Sequence, residues 1–344
     1  MIRALVVDDS AFNRVTISRM LESSREIEVI GTAANGEEAI RQVMRFEPDL
    51  ITLDLEMPVM DGFSFLRWLM ANRPTPVIVV SSKATDRSVF KALELGAVEF
   101  IAKPGGPVSP RLVEVQNDLV RKGLEVASAS LDKIRSRSVR TPPAVVDKAV
   151  AGPLAVDLVV IGSSTGGPPA LQMIFQSLPL MEVPFIVAQH MPGTFTKLFA
   201  ERLTRLSQYR VKEAKDGERV MPRVAYIAPG GMQTMVVADG DRFMLRVRER
   251  RSNDLYAPSV NRLFDSASEA FADRLLAVIL TGMGDDGAEA MMKIRQRGGR
   301  TIAESESTSI VFGMPKAAIG AGAVEHVLGL HDIPEGIRRA CLQS

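Results

Sequence analysis

A serine in a glycine-rich turn is the first residue of the chain whose setting suggests chemistry. An apolar run at 158–161 leads directly into GSSTGG, which contains the pattern G-x-S-x-G around Ser164. Glycines at such a strand-to-helix turn allow a tight bend that presents the serine at the end of the strand. The same kind of turn can be purely structural or can bind a phosphate group. Ser164 is therefore a candidate nucleophile that needs a base within reach.

A histidine and a pair of aspartates could complete a serine-based site. His190 ends the next predicted strand along the chain, so its side chain should reach the same sheet edge as Ser164. A later apolar run leads into TGMGDDG, which offers Asp285 and Asp286 as the carboxylate that orients the base. The spacing does not distinguish between these two aspartates. The order serine, histidine, aspartate differs from that of α/β-hydrolases, in which the acid precedes the histidine.

Charged and hydroxyl side chains also follow the predicted strands of the N-terminal third. Asp8 and Asp9 come directly after the first apolar run, and Asp54 ends the third. Because the carboxyl ends of parallel strands meet at one sheet edge, these carboxylates should converge, and they would repel one another without a cation. Their hard oxygen atoms favour Mg²⁺. Ser81 and Lys103 end the fourth and fifth runs and could hold a phosphoryl group at the same edge.

The elements that must position these residues form two blocks of alternating strands and helices. Residues 1–122 contain five β-branched runs separated by segments of helical spacing, which predicts a flavodoxin-like (βα)5 sheet. Residues 123–154 are rich in basic residues and proline and are interpreted as a linker. Residues 155–344 predict a doubly wound, mostly parallel α/β sheet, with a β-hairpin at the Asp-Gly pair 239–240.

Composition narrows the classes of partner and the compartment. The 344 residues include 42 Lys and Arg and 41 Asp and Glu, so a net charge of +1 gives no reason to expect nucleic acid or a membrane surface as partner. We find no apolar stretch near the ~20 residues that span a bilayer and no signal peptide. A single cysteine, Cys341, favours a reducing compartment, and no histidine is evident beside it to make it a nucleophile. We therefore predict a cytoplasmic protein without direct membrane insertion.

The N-terminal motifs have a counterpart in a known domain family. The segments VDD at 7–9, LDLEMPVMDG at 53–62, VVSS at 79–82 and KP at 103–104 together resemble the receiver domain of bacterial response regulators. The resemblance implies that Asp54 accepts a phosphoryl group from a sensor histidine kinase. It implies Mg²⁺ ligands at Asp8, Asp9, Asp54 and the backbone carbonyl of Glu56. It also implies phosphate-sensing positions at Ser81, Lys103 and Phe100.

The C-terminal motifs, placed behind such a domain, resemble one family of enzymes. The segments GSSTGGPPAL, AQHMPGTFT, LTGMGDDGA and VFGMPKAA are similar to those of the chemotaxis protein-glutamate methylesterases, the CheB family. The resemblance implies Ser164 as nucleophile, His190 as general base and Asp286, rather than Asp285, as the residue that orients the base. It further implies oxyanion donors in the backbone near Thr165 and Met283.

The function implied by this resemblance is receptor adaptation. The enzyme would be a serine hydrolase that removes methyl esters from glutamates of methyl-accepting chemoreceptors, releases methanol and deamidates receptor glutamines without a cofactor for the esterase chemistry. Phosphorylation of Asp54 would free the active site from the tethered receiver. Two other classes, a scaffold that only binds its target and a DNA-binding regulator, are disfavoured by the triad and by the near-neutral charge. The sequence departs from the family pattern at four positions outside the triad, which bear on substrate preference: Gln233, Tyr256, Asn261 and Glu304.

Overall fold

A computed structural model describes residues 1–81, 86–103, 112–127, 153–240 and 242–342. The chain divides into two compact units, Met1–Arg140 and Thr141–Ser344. Most of the predicted linker lies outside the described residues, and so does Pro104 of the KP motif. Within the described ranges, none of the helices is both long and apolar enough to cross a bilayer.

The N-terminal unit is a parallel five-stranded sheet with helices between the strands. The strands lie in the order β2-β1-β3-β4-β5 and all pairings are parallel. This arrangement confirms the predicted flavodoxin-like sheet. Its elements are β1 (Ile2–Val7), α1 (Ala11–Glu22), β2 (Ile27–Ala33), α2 (Gly36–Phe46), β3 (Leu50–Leu53), α3 (Gly62–Asn72), β4 (Val77–Ser81), α4 (Asp86–Glu94), β5 (Glu99–Ala102) and α5 (Leu112–Ala127).

The loops at the carboxyl edge of this sheet are held by caps and close packing. Strands β3 and β4 are buried at every residue, as expected of strands covered on both faces. Asp61 caps α3 by accepting a hydrogen bond from the Ser64 N–H at 2.7 Å. A Cβ atom at Gly62 would lie 2.3 Å from the backbone oxygen of Asp54, so only glycine permits this close approach. The chain after β3 is thus folded tightly against Asp54.

A buried ion pair links β5 to α5. Glu99 and Lys122 are each only 3% exposed, and the Lys122 ammonium lies 3.2 Å from the Glu99 carboxylate. The Lys122 ammonium also donates to the backbone oxygen of Phe100 at 3.0 Å. Burial raises the pKa of Glu99, and Lys122 opposes this only in part. The pair therefore ties the helix to the strand while its charges remain compensated.

Replacement of Lys122 by alanine is expected to destabilise the N-terminal unit by about 3–5 kcal/mol, because Glu99 would stay buried without its counter-ion. Urea unfolding monitored by circular dichroism measures the loss. Replacement of both residues, Lys122→Met with Glu99→Gln, should recover part of it. The exposed pair Arg73–Glu47 provides the control, since Arg73→Ala is expected to cost at most about 1 kcal/mol. Equal losses of stability for Arg73→Ala and Lys122→Ala would contradict the stabilising role of the buried Glu99–Lys122 pair.

The C-terminal unit contains a seven-stranded parallel sheet and a separate antiparallel hairpin. The strand order is β14-β13-β12-β6-β7-β9-β8, with β10 and β11 paired to each other. This confirms the predicted doubly wound α/β sheet with a β-hairpin. The strands are β6 (Leu158–Ser163), β7 (Phe185–Gln189), β8 (Arg210–Glu213), β9 (Val224–Ile227), β10 (Met232–Asp239), β11 (Arg242–Glu249), β12 (Leu275–Ile279), β13 (Arg300–Glu304) and β14 (His326–Leu328). The helices are α6 (Gly167–Ser177), α7 (Gly193–Leu206), α8 (Val260–Phe271), α9 (Ala288–Gln296), α10 (Met314–Gly320) and α11 (Ile333–Cys341).

Three adjacent strands at the centre of this sheet carry the candidate catalytic residues. Strand β6 pairs with β12 on one side and with β7 on the other, in parallel register. All three strands are buried along their whole length. A Cβ atom at Gly162 would lie 2.3 Å from the Val260 side chain, so the start of α8 packs against the end of β6. The carboxyl ends of β6, β7 and β12 and the start of α8 therefore meet at one place.

Candidate active site

The turn after β6 places Ser164 against the turn after β12. Ser164 is 3% exposed, and its N–H donates to the Thr281 backbone oxygen at 3.0 Å. A Cβ atom at Gly282 would lie only 2.6 Å from the Ser164 Cβ, so glycine is required where the two turns touch. Gly166, which precedes α6, has φ +75°, a conformation that strongly favours glycine. The glycines of both motifs thus permit the tight packing around Ser164.

His190 lies at the end of β7 with its ring held by Asp286. The His190 Nε2 atom is 2.9 Å from the Asp286 Oδ2 atom. The Nδ1 atom is buried and has no hydrogen-bond partner within the part of the chain that the structure describes. The backbone N–H of His190 donates to the Ser163 oxygen at 3.0 Å, which ties the histidine to the serine turn. A neutral ring with its proton on Nε2 therefore has a lone pair on Nδ1 that can accept another proton.

Asp286 belongs to the turn after β12, and its buried carboxylate lies at the start of α8, where several donors converge on it. It accepts hydrogen bonds from the Ser259 hydroxyl at 3.0 Å and from the N–H groups of Val260 at 2.7 Å and Asn261 at 2.9 Å. Burial alone would raise the pKa of Asp286, but His190 and these donors outweigh it and lower the pKa. Asp285 is exposed. The structure therefore brings Asp286, and not Asp285, to His190.

The turns that carry Thr165 and Met283 also meet at Ser164. Thr165 is buried directly after the serine, and its backbone oxygen accepts from the Thr281 hydroxyl at 2.9 Å. Met283 follows Gly282, the residue whose Cα lies against Ser164. The peptide groups that the family resemblance implies as oxyanion donors are therefore on the two segments next to the serine.

Gln189 is a buried residue that joins the serine turn to the histidine, and the sequence reasoning did not single it out. Its Oε1 atom accepts from the Ser163 hydroxyl at 2.6 Å, while its Nε2 atom donates to the backbone oxygens of Ser164 at 2.9 Å and His190 at 3.0 Å. A Cβ atom at Gly167 would come within 2.0 Å of its Oε1 atom. A polar residue that ends an otherwise apolar strand next to a candidate base was the available signal.

Of the four departures from the family pattern, Tyr256 lies against the histidine, and Gln233 contacts the backbone of Tyr256. The Tyr256 ring stacks on the His190 imidazole with centroids 4.6 Å apart and planes 4° from parallel. Gln233 is buried and donates from Nε2 to the Tyr256 backbone oxygen at 2.7 Å, and its Oε1 atom accepts from the Ser259 N–H at 3.0 Å. Gln233 thus holds both the segment that covers the imidazole and the residue that caps α8 beside Asp286.

The other two departures lie under the acid and the serine turn. Asn261 contributes its backbone N–H to Asp286, and its side-chain oxygen accepts from the Ala290 N–H at 3.1 Å. Glu304 is fully buried at the end of β13 and accepts from the Thr281 N–H at 2.9 Å. Asn261 therefore bonds directly to Asp286, whereas Glu304 reaches Ser164 only through Thr281, and neither residue is part of the histidine–aspartate pair itself.

Cys341 and His326 lie away from the residues around Ser164. Cys341 is buried in α11, where burial raises the pKa of its thiol to about 12. A thiol with such a pKa holds almost no nucleophilic thiolate near neutral pH. His326 is exposed on β14, 3.6 Å from Glu325. Neither residue forms part of the cluster around Ser164.

In the N-terminal unit, the three predicted aspartates form an acidic cluster. Oxygen atoms of Asp8, Asp9 and Asp54 lie within 4.8 Å of one another. The Lys103 ammonium is 2.7 Å from Asp8 Oδ2 and 2.6 Å from Asp54 Oδ2. Burial raises the pKa of Asp54, and the contact with Lys103 opposes this only in part. Carboxylate oxygens at this spacing fit a hard divalent cation.

The other predicted N-terminal residues surround this cluster. The Glu56 N–H lies 3.5 Å from Asp54 Oδ1, and Ser81 is buried at the end of β4, where its backbone oxygen accepts from the Lys103 N–H at 2.8 Å. Phe100 is fully buried in β5 and packs edge-on against Phe90 with ring centroids 6.3 Å apart. The structure therefore brings Ser81 and Lys103 to the same sheet edge as Asp54 and places the Phe100 ring in the interior.

Both units of the chain match known protein families. Residues 159–337 match the CheB methylesterase family model, and residues 4–112 match the response regulator receiver domain model. The chain is 44% identical to protein-glutamate methylesterase/protein-glutamine glutaminase 3 of Geobacter sulfurreducens, over 99% of this chain and 97% of the relative. It is 46% identical to the corresponding protein 1 of Myxococcus xanthus, over 96% and 95% of the two chains.

A solved structure matches the C-terminal unit. The crystal structure of the Thermotoga maritima CheB methylesterase catalytic domain aligns with a TM-score of 0.52 at 42% sequence identity, covering 55% of this chain and 99% of that domain. The match covers the part of the chain that contains the serine, histidine and aspartate described above. The family-model matches and the full-length identities agree with it, and the chain belongs to the CheB methylesterase family, with a response regulator receiver domain in its N-terminal part.

Proposed function

We propose that this protein is a phosphorylation-activated protein-glutamate methylesterase and protein-glutamine glutaminase that acts on methyl-accepting chemoreceptors. The observation that carries the proposal is the contact of His190 with Asp286 at the ends of β7 and β12, the two strands that flank the strand leading into Ser164. The relatives bear both activities in their names. In this scheme residues 1–122 are the receiver, 123–154 the linker and 155–344 the catalytic domain of a cytoplasmic enzyme.

In the first step of the proposed reaction, His190 removes a proton from the Ser164 hydroxyl. The Nε2 proton points to Asp286, so the lone pair of Nδ1 is the one that accepts the serine proton. The serine oxygen forms a bond to the γ-carbonyl carbon of the glutamyl ester. Backbone N–H groups of Thr165 and Met283 stabilise the oxyanion, and each such donor lowers the barrier by about 3–4 kcal/mol.

The intermediate then breaks down to an acyl-enzyme. The imidazolium of His190 returns its proton to the methoxy oxygen, the C–O bond breaks and methanol leaves. Water, deprotonated by the same imidazole, attacks the acyl carbon. The bond from that carbon to the serine oxygen breaks, the imidazolium returns its proton to that oxygen, and a free glutamate and Ser164 are released. A receptor glutamine enters the same sequence with ammonia as the leaving group. Asp286, whose lowered pKa keeps it ionised, stabilises the imidazolium in both halves of the reaction.

In the receiver, Asp54 is the proposed acceptor of the phosphoryl group from a sensor histidine kinase. Asp8, Asp9, Asp54 and the Glu56 carbonyl would hold Mg²⁺, which supplies positive charge among the carboxylates and the phosphoryl oxygens. Lys103 already lies between Asp8 and Asp54 and would pair with the phosphoryl group. Ser81 would donate to a phosphoryl oxygen, and Phe100 is the proposed aromatic switch position.

Methanol release from methylated receptors in membranes tests this function. A small phosphodonor is expected to increase the rate of the full-length wild-type protein and to leave Asp54→Asn at its basal rate, because the amide cannot accept the phosphoryl group. Asp61→Asn is the matched control, since asparagine caps α3 as well as aspartate does and the stimulation should persist. Stimulation of Asp54→Asn, or equal rates with and without phosphodonor in the wild type, would refute activation through Asp54.

A further inference from the structure

Two exposed apolar side chains stand next to the residues that contact the nucleophile and the base. Leu255 is 89% exposed and immediately precedes Tyr256, whose ring stacks on His190. Met283 is 43% exposed and immediately follows Gly282, which lies against Ser164. We call Leu255 and Met283 the apolar rim.

The loops that carry the apolar rim are in contact with each other. A Cβ atom at Gly284 would lie 2.9 Å from the Tyr256 hydroxyl oxygen, so the tyrosine side chain packs on the turn that follows β12. Leu255 and Met283 are each one residue away from this contact along the chain. The rim therefore lies on the two loops that contact Ser164 and His190.

The exposure of Leu255 is imposed by a loop that is fixed in place. Asp254 is buried, and its Oδ2 atom accepts from the Arg251 N–H at 3.0 Å and from Gln233 Nε2 at 3.1 Å. Its other carboxylate oxygen pairs with Arg262. The residue before the leucine is thus anchored from three sides, and the leucine side chain is held in solvent. Folding gains nothing from an exposed leucine, whereas a bound partner can bury it.

We propose that the apolar rim binds apolar side chains of the substrate polypeptide beside the esterified glutamate, and that Leu255 thereby makes the enzyme select protein-borne esters over small ones. This inference rests on the proposed function and adds to it the surface that recognises the substrate. Arg250 and Arg251, both exposed, precede the loop. A substrate segment that fits this surface therefore carries apolar residues for the rim and carboxylates for the two arginines. A segment with several modifiable glutamates supplies such carboxylates.

The test compares two substrates with the full-length, phosphodonor-treated protein. Methylated receptors in membranes present the ester on a polypeptide, and N-acetylglutamate γ-methyl ester presents it alone. Leu255→Ser is expected to raise KM for the receptor about tenfold, a factor that corresponds to about 1.4 kcal/mol. The kcat for the receptor and the kinetics with the small ester should not change, because the rim contact is equal in ground and transition states. Met221→Ser, at a methionine that is also 43% exposed but precedes β9, is the control and should behave as wild type with both substrates.

Three outcomes would overturn the inference. Leu255→Ser could alter both substrates in parallel, it could alter neither, or Met221→Ser could raise KM for the receptor as much. Because Leu255 is almost fully exposed, its replacement leaves the packing of the domain intact, and thermal unfolding verifies this. Failure of the wild type to release methanol from receptors would instead refute the proposed function. If the wild type releases methanol from receptors and Leu255→Ser has the same KM for them, the proposed function stands and only the role of the apolar rim is refuted.

Discussion

Replacement of Ser164 by alanine is expected to lower methanol release from methylated receptors by about 10³–10⁶-fold, because alanine lacks the hydroxyl that forms the acyl-enzyme. The neighbouring Ser163 provides an unusually close control. Its hydroxyl donates to Gln189 rather than facing the histidine, so Ser163→Ala should lose about 1 kcal/mol of stability and keep most of the activity. Steady-state methanol release with saturating receptor membranes measures both variants.

The comparison of the two serines distinguishes catalysis from support of the turn. Both variants should show cooperative thermal unfolding, and Ser164→Ala should still bind receptor membranes. If Ser163→Ala lost activity as completely as Ser164→Ala, or if Ser164→Ala retained wild-type turnover, the assignment of the nucleophile would be wrong. Retained biological activity of Ser164→Ala would favour the scaffold class instead.

Replacement of Asp286 by asparagine is expected to reduce kcat by about 10³–10⁴-fold. An amide does not carry the charge that stabilises the imidazolium of His190. Its NH₂ group would also compete with the N–H donors of Val260 and Asn261, which now point at carboxylate oxygens. Asp285→Asn is the matched control and should stay near the wild-type rate, because Asp285 is exposed. Comparable losses in the two variants would contradict the assignment of the orienting acid.

The stability difference between the wild type and Asp286→Asn should depend on pH. The pKa of Asp286 in the folded protein lies below its ordinary value of 3.8. The stability from its ionised form is therefore fully present above the unfolded pKa and is lost as the pH falls through the folded pKa. Urea unfolding should show the wild type more stable than Asp286→Asn at neutral pH, with the difference shrinking below about pH 4. A difference that stayed constant down to pH 2 would contradict this.

The structure shows which residues the four departures from the family pattern contact. The sequence alone placed them outside the triad and related them to the choice of substrate. Tyr256 borders the base, and Gln233 holds the backbone of Tyr256. Asn261 borders the acid, and Glu304 binds Thr281 beside the serine turn. Tyr256 covers one face of the His190 imidazole with an aromatic ring. Substitutions at these positions therefore change the residues that hold His190, Asp286 and the serine turn in place, and not only the surface that meets the substrate.

The sequence by itself determined the architecture and the kinds of residue at the site. Runs that are apolar throughout are compatible with strands buried on both faces, and alternation with helical segments requires parallel connections. Parallel strands bring their carboxyl ends to one edge, which is why the sequence alone groups Asp8, Asp54 and Lys103, and likewise Ser164 and His190. The glycines around Ser164 indicated a tight bend, and Gly166, with its φ of +75°, shows it.

Only the tertiary structure decided which atoms meet. Asp285 and Asp286 are adjacent in the chain, and the choice between them depends on the start of α8, whose N–H groups converge on Asp286 alone. The role of Gln189, the pairing of Nε2 rather than Nδ1 with the carboxylate, and the fixed exposure of Leu255 likewise depend on contacts between segments far apart in sequence. Local patterns specify the period of burial and the turns, whereas these contacts follow from strand order and side-chain packing, which no local pattern encodes.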